Sequence, residues 1–412
     1  MLKMVKVSFF QDEFRTIAAL AARISQEPFE TGTIKDLFEN CLADKEGSRE
    51  LVNSIVKRGH LIPGDMLPYA IGLEHITRFA AIYFWRLVNV YNLIFGAGIE
   101  ASLRVIKPNR YIEFVSEFAK KAFEAYEEAI EMGVLNQDAR YMIPEGTLTR
   151  MVFSAPPRYL LKIAHSLIDT PLNELRNIGK GIKRIVESEF GLIMPEEKSP
   201  SKWNFWGEKD IKDEVFLNYT GETESMSVRM AIYLSLSGFA QLVRQRQISC
   251  IMESLEQAAR RGEFVVPPDF PEEVRKSYLK LAEEARQIQL KLIEKRNPAF
   301  VYFLLLGQGT RANIYGNSFG ILDSSRARSE GVAQWEIRNQ FGIPLTESLL
   351  RYPELQEQIG PRCWREKRCI EPPTFKKTKN ICKAYQKEKG NWQGTLKELL
   401  DVLREPRKTF FV

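Results

Sequence analysis

The sequence has no apolar run that approaches the roughly 20 residues of a membrane-spanning helix. Its first residues, MLKMVKVSFFQDEFR, lack the apolar core and the small-residue cleavage site of a secretory signal. The cysteines number five, an odd count, and Cys41 and Cys250 lie far from the other three, so no disulfide framework is indicated. These absences predict a cytoplasmic protein with no membrane partner.

Metal-ligating residues are also scarce. The chain has 3 histidines, all in its first half. Cys363, Cys369 and Cys382 follow the pattern C-x5-C-x12-C, which lacks the paired short spacings and the fourth ligand of a zinc site. We therefore predict no metal site.

The length and the charge distribution of the chain indicate more than one structural part. A chain of 412 residues with 44% hydrophobic and 27% charged residues is too long for one ordinary core and predicts two domains plus a remainder. The net charge of +6 is concentrated between residues 362 and 389, where ten Lys or Arg face three Glu. This basic tail predicts a nucleic-acid contact, and the alternative is a solvated extension.

The chain contains an internal repeat. Residues 113–134 and 271–296 both have the apolar spacing of amphipathic helices, and each is followed by a Thr-Arg pair. Thr149 leads after 25 residues to Glu174, and Thr310 leads after 26 to Glu336. With a linker-like join in 194–210, we predict domains at 1–195 and 211–349 and a basic extension at 350–412.

The stretch GFAQLVRQRQISCIMES, residues 238–254, carries two arginines separated by one glutamine. Side chains two apart point to opposite sides of a helix, so Arg244 and Arg246 converge only if the helix stops near Val243. Convergent guanidinium groups predict an anion-binding site. The alternative is that these arginines pair with acids, of which Glu253, Glu256 and Glu330 are the candidates.

RQRQISCIMESLE resembles the signature of the flavin-dependent thymidylate synthase family, which reads Arg-His-Arg, two residues, Ser, any, Asn-Glu, any, Ser, any, Arg. Arg244, Arg246, Ser249 and Ser254 fall on its first two arginines and its two serines. Three positions depart: Gln245 replaces the His, Met252 takes the place of the Glu, and Glu256 stands where the last Arg belongs.

A longer match without gaps, TRANIYGNSFGILDSSRARSEGVAQWEI at 310–337, looks like the Thr-Arg to Ala-Gln-Trp-Glu-Ile run of the same family. Asp323 and Val332 replace an Asn and a His that contact flavin in the family. The first half resembles the framework of the family but not its site. The segment WRLVNVYNLIFGAG places four apolar residues where arginines, Glu and Ser belong: Trp85, Leu87, Leu93 and Phe95.

The resemblance implies an α+β fold of two tandem domains, each with helices packed around a small, mainly antiparallel sheet, together forming a pseudo-dimer with a degenerate first copy. It also implies site residues. Arg244, Arg246, Ser249 and Asn317 are expected to bind FAD. A uridine-type nucleotide such as dUMP is expected at Gln241, Ser254, Arg328 and Arg140, with Arg328 and Ser254 in the catalytic role.

The expected function is a diverged flavin-dependent thymidylate synthase homologue, a methyltransferase-like enzyme that transfers a one-carbon unit to the pyrimidine, with NADPH and methylenetetrahydrofolate as co-substrates. The expected assembly is a homo-oligomer, a dimer of tandem chains. The alternative is a non-catalytic nucleotide- or nucleic-acid-binding scaffold derived from the same fold.

Overall fold

The computed structural model describes residues 6–10, 19, 23, 34–57, 69–90, 97–100, 110–190, 205, 211, 215–221, 225–245, 247–331, 333–366, 394–404 and 410–411. The chain divides into two compact units. The first unit comprises Met1–Ser102 and Leu148–Lys202, and the second comprises Leu103–Thr147 and Trp203–Val412. Residues 103–147 belong to the first sequence copy but to the second unit, so sequence copies and compact units do not coincide.

The first unit is a four-stranded antiparallel sheet with helices. Its strands are β1 (Lys6–Phe10), β2 (Tyr69–Thr77), β3 (Ala97–Glu100) and β4 (Leu148–Ala155), in the order β1-β2-β4-β3. Its helices are α1 (Ile34–Ala43), α2 (Lys45–Lys57), α3 (Arg78–Val90), α6 (Pro157–Ile168) and α7 (Asn173–Phe190). The amphipathic α6 and α7 pack on each other and bury Leu160, Leu167 and Ile182.

The second unit contains a sheet of the same topology. Strands β5 (Val215–Asn218), β6 (Ser227–Ser235), β7 (Ile248–Met252) and β9 (Gly309–Asn317) run antiparallel in the order β5-β6-β9-β7. Two short strands, β8 (Val265–Val266) and β10 (Phe410–Phe411), pair separately. Equal strand order in the two sheets agrees with the repeat predicted from the sequence.

The helices of the second unit come from both sequence copies. They are α4 (Ser116–Glu131), α5 (Asn136–Ala139), α8 (Leu236–Leu242), α9 (Leu255–Arg261), α10 (Glu272–Glu294), α11 (Ser318–Arg328), α12 (Trp335–Ile337), α13 (Ile343–Leu349), α14 (Arg362–Arg365) and α15 (Leu396–Arg404). Turns of 3-10 helix cover Glu113–Val115, Arg140–Met142, Pro298–Phe303 and Pro353–Leu355, and a π-helical turn covers Arg338–Gly342.

The two long predicted helices are confirmed, as α4 and α10. They pack against each other, with the Lys121 ammonium 2.6 Å from the Glu284 carboxylate, and the Phe118 ring of α4 lies 5.8 Å from the Phe303 ring in the 3-10 turn that follows α10. Beside them, residues 141–146 pair antiparallel with 302–307, centred on Pro144 and Leu305.

This pairing is symmetric. Thr310 follows Thr149 by 161 residues, and the same offset relates Pro144 to Leu305. The bond from Glu145 N–H to Leu304 O, 2.8 Å, has its counterpart in the bond from Leu306 N–H to Ile143 O, 2.9 Å. Equivalent segments of the two copies thus exchange equivalent hydrogen bonds, as residues around a local two-fold axis do.

Candidate functional site

Helix α8 ends before the two predicted arginines. It begins at Leu236, with the Ser235 side chain accepting a hydrogen bond from Gly238 N–H, and ends at Leu242 with Val243 as C-cap. The predicted helix end near Val243 is therefore confirmed. Arg244 follows in a turn and is half-buried, while Arg246 lies outside the described residues, so its convergence with Arg244 stays a prediction.

Gln245 connects this turn to α11. Its side-chain carbonyl accepts a hydrogen bond from Arg328 Nη2 at 3.0 Å, and its amide nitrogen donates to Asp323. Gln245 is only 8% exposed, so both bonds lie in a largely desolvated place, where polar groups must find partners. The glutamine at the signature's His position thereby fixes the guanidinium of Arg328.

A glycine permits the close approach of the turn to the helix. A Cβ added at Gly320, in the first turn of α11, would lie 2.1 Å from the Gln247 carbonyl oxygen, which is far inside van der Waals contact. The turn therefore approaches α11 closely at Gly320 and is bonded to it through the Asp323 and Arg328 side chains. The fold thus brings together the two sequence motifs that carry the family resemblance.

Two predicted site residues are helix N-caps. The Ser254 hydroxyl oxygen accepts from Gln257 N–H at 3.1 Å at the start of α9, and Ser254 is fully buried. The Asn317 carboxamide oxygen accepts from Gly320 N–H at 3.0 Å at the start of α11, and Asn317 is exposed. Both caps satisfy helix donors that have no partner within the helix.

Ser249 and Gln241 are both half-buried. Ser249 lies on β7 and pairs across the sheet with Tyr315 on β9. The guanidinium of Arg229, on the other side of β9, lies 5.5 Å from the Tyr315 ring centroid. Gln241 lies in the last turn of α8.

Two of the candidate acids pair with neighbouring arginines of α9. Glu253 is 1% exposed and accepts two hydrogen bonds of 2.6 Å from Arg261, as well as one of 2.7 Å from the Arg311 backbone N–H. Glu256, which stands where the family has an arginine, accepts from Arg260 at 2.7 Å. These ion pairs reduce the repulsion that either carboxylate would exert on a bound phosphate.

Arg140 comes from the first sequence copy but lies in the second unit, 6% exposed. The neighbouring Tyr141 hydroxyl donates to Glu336 and accepts from Gln334 Nε2 at 2.6 Å. The carboxylate of Glu336 also accepts from the Ser235 backbone N–H and from its hydroxyl, the latter at 2.7 Å. Burial raises the pKa of Glu336, and burial together with that carboxylate raises the pKa of Tyr141 well above its usual value.

The sequence reasoning singled out neither Ser235 nor Tyr141. A serine that ends an alternating strand and precedes an apolar helix is an N-cap signal, so Ser235 was detectable. No local pattern marks Tyr141, because its partner is 195 residues away.

The first unit has the same frame without the arginine turn. Thr77 caps α3 by accepting from Ala80 N–H at 3.1 Å, and Glu174 accepts from the Thr77 N–H at 2.7 Å and from its hydroxyl at 2.8 Å. Helix α3 continues to Val90 and buries Trp85, whose ring lies edge-on to Phe153 at 5.9 Å. Leu87 is buried as well, whereas Leu93 and Phe95 lie outside the described residues.

Among the described residues, no group of three His, Cys, Asp or Glu side chains is arranged to hold a metal ion. No described helix is long and apolar enough to cross a membrane. Val332, Cys369, Cys382 and most of the basic tail (367–389) lie outside the described residues.

Comparison with known proteins yields one family. A family model described as thymidylate synthase complementing protein matches residues 7–190 and 206–345, consistent with a tandem arrangement. A flavin-dependent thymidylate synthase from Thermotoga neapolitana is 23% identical over 145 residues, which span 32% of this chain and 67% of that protein.

Proposed function

The chain belongs to the thymidylate synthase complementing protein family, and from this premise we propose that it is a diverged flavin-dependent thymidylate synthase homologue that binds FAD and a uridine-type nucleotide in its second unit. The observation that carries the proposal is the bond from Arg328 Nη2 to Gln245, because it joins the arginine turn to the helix of the second motif.

The donor set fits anionic ligands. Arg244 is half-buried beside the end of α8, and the guanidinium of Arg328 is fixed by a hydrogen bond to the neutral amide of Gln245. In this proposal Arg244, Arg246, Ser249 and Asn317 hold the flavin. Gln241, Ser254, Arg328 and Arg140 hold the nucleotide.

The bound flavin would supply the hydride, and the protein would supply binding and electrostatics. We assign to Arg328 the stabilisation of negative charge that develops on the pyrimidine, since its guanidinium is fixed beforehand by Gln245. The buried Ser254 hydroxyl caps α9 by accepting from Gln257 N–H, and we assign to it a contact with the base or a phosphate of the nucleotide. NADPH and methylenetetrahydrofolate are the proposed co-substrates of a one-carbon transfer.

The proposed architecture is a covalent pseudo-dimer with a degenerate first copy. Support comes from the equal strand order of the two sheets and from the symmetric pairing around Pro144 and Leu305. Buried Trp85 at the place of an arginine leaves the first copy without the cationic turn. Two such chains would assemble as the proposed homo-oligomer.

The first test is the absorbance of the purified protein in the flavin band, before and after incubation with FAD. A second test is titration with dUMP. Because Arg328 would contact the nucleotide, Arg328→Ala is expected to weaken dUMP binding by about 30-fold, or about 2 kcal/mol, and Arg244→Ala is expected to weaken flavin binding by a similar factor.

The matched control is Arg351→Ala, since exposed Arg351 reaches only a backbone carbonyl at 3.4 Å and stacks on Tyr352. It should bind both ligands like the parent. If Arg328→Ala and Arg244→Ala also bind like the parent, the site assignment is wrong.

The second candidate function is a non-catalytic nucleotide- or nucleic-acid-binding scaffold. The observation that favours it is the structural use of two signature positions, Ser254 as a helix cap and Glu256 in a pair with Arg260. Binding to DNA or RNA that falls steeply with salt, in a protein without flavin absorbance, would support this function instead.

A further inference from the structure

The first part of the C-terminal extension packs against α11. The Gly360 N–H donates to Ser325 Oγ at 3.1 Å, and Arg326 Nε donates to the Gln358 carbonyl at 2.7 Å. Helix α14 follows directly, with Trp364 Nε1 donating to the Gln356 carbonyl at 3.3 Å. The extension therefore places the arginines of α14 beside those at the end of α11.

These arginines outnumber their counterions. Arg362 is paired with Glu366 at 2.9 Å, and its backbone N–H donates to the carboxylate of Glu330. Arg326 Nε is bound by the neutral carbonyl of Gln358. Among the described residues, no group accepts a hydrogen bond from the buried Nε of Arg365.

The electrostatics agree with this geometry. Burial lowers the pKa of Arg365, and the positive charges of Arg326 and Arg362 lower it further, against the opposing effect of Glu366 and Glu330. Burial raises the pKa of Glu330 against the opposing effect of Arg362, Arg365 and Arg328. The arginines of this region thus outnumber its two carboxylates, so a bound anion would reduce the repulsion between their guanidinium groups.

We propose that Arg326 and Arg365 form a second anion site, built by the C-terminal extension, that binds a phosphoryl group. Phosphoryl oxygens accept charge-assisted hydrogen bonds from two guanidinium groups at once. The site goes beyond the proposed function and does not depend on it. Arg326 and Arg328 are two residues apart on α11, so their side chains leave opposite sides of the helix.

The test uses the full-length protein and inorganic pyrophosphate as the probe, with binding followed by calorimetry. Arg365→Gln and Arg326→Gln are each expected to weaken pyrophosphate binding at least 10-fold. The matched control is Lys276→Gln, which removes an exposed cation that forms an i,i+4 pair with Glu272 on α10. It should bind pyrophosphate like the parent.

Thermal unfolding separates a binding role from a structural one. Without pyrophosphate, Arg365→Gln should unfold at the same temperature as the parent or higher, because it removes a repelled and partly buried charge. With pyrophosphate, the parent should gain stability and the variant should not. A variant that is less stable without the anion and gains as much as the parent with it would overturn the proposal.

The source of the phosphoryl group follows from two further titrations, with inorganic phosphate and with UTP. A larger loss for UTP than for phosphate in Arg365→Gln identifies a nucleotide, and an equal loss identifies a free anion. If both glutamine variants bind pyrophosphate like the parent, or if only Arg328→Gln loses it, no second site exists. Failure of flavin and dUMP binding with pyrophosphate binding intact would reject the proposed function and leave this site standing.

Discussion

Two helices that follow equivalent strands differ in length, and this difference separates the two units. In the first unit α3 has 13 residues and carries Trp85 into the core, whereas in the second unit α8 has 7 residues and ends before Arg244. Both begin with a hydroxyl cap that a buried glutamate supports, Glu174 on Thr77 and Glu336 on Ser235. The two units share this arrangement of strand, cap and helix. The residue at which the helix ends decides whether the following side chains join a core or line a polar turn.

The largest expected effect comes from a substitution in the first unit, at the buried tryptophan of α3. Trp85→Arg would bury a charge in an apolar environment beside Phe153, so we expect a loss of about 4 kcal/mol in the free energy of unfolding. The measurement is urea denaturation. Because the helix would still continue past residue 85, no additional nucleotide-binding site should appear in the first unit.

Its control is Val152→Arg on β4 of the same unit, where the side chain is 47% exposed. That change should cost under about 1 kcal/mol. Equal losses for the two variants would show that Trp85 is not the core residue described above.

A smaller effect compares the two supporting glutamates. Glu336→Ala leaves the Ser235 N–H and hydroxyl and the Tyr141 hydroxyl without their acceptor, so we expect a loss of about 3 kcal/mol in the free energy of unfolding. Glu174→Ala leaves the N–H and hydroxyl of Thr77 without their acceptor, for about 2 kcal/mol. Hydrogen exchange at the caps of α8 and α3 would assign each loss to its helix.

The matched changes to glutamine keep one acceptor oxygen at each place and should cost less than the alanine changes. If Glu174→Ala proves more damaging than Glu336→Ala, the bond to Tyr141 contributes nothing to the second unit.

The smallest effect concerns Ser254. Loss of the cap in Ser254→Ala should lower the free energy of unfolding by about 1 kcal/mol, and Ser254→Asn should restore much of it, since asparagine caps as well as serine and adds no charge at this buried position. dUMP titration then separates the two roles. If the hydroxyl contacts the nucleotide, the asparagine variant regains stability but not affinity, while recovery of both would assign Ser254 to capping alone.

Much of this architecture was predictable from local pattern. The apolar spacing of 113–134 and 271–296 predicted the helices that became α4 and α10, and the paired spacings from Thr149 to Glu174 and from Thr310 to Glu336 predicted the repeat. The end of α8 near Val243 was the condition for Arg244 and Arg246 to converge. At the start of α15 the Thr395 hydroxyl accepts from Glu398 N–H at 3.2 Å, as a threonine before an apolar-periodic helix indicates.

The contacts of the candidate site were less predictable. Gln245 read as a departure from the signature, yet it holds Arg328 and Asp323, which follow it by 83 and 78 residues. Glu256 stands where the family has an arginine, but Arg260, one turn later on α9, forms an ion pair with it. The assignment of residues 103–147 to the second unit had no sequence signal.

The sequence by itself indicated the two long helices, the place where α8 ends and an internal repeat, because each of these patterns depends on residues close together in the chain. The tertiary structure alone decided which partner each polar side chain meets and which unit receives Arg140. Those choices depend on how distant segments pack, and burial then obliges every desolvated donor to find the acceptor that packing places nearby.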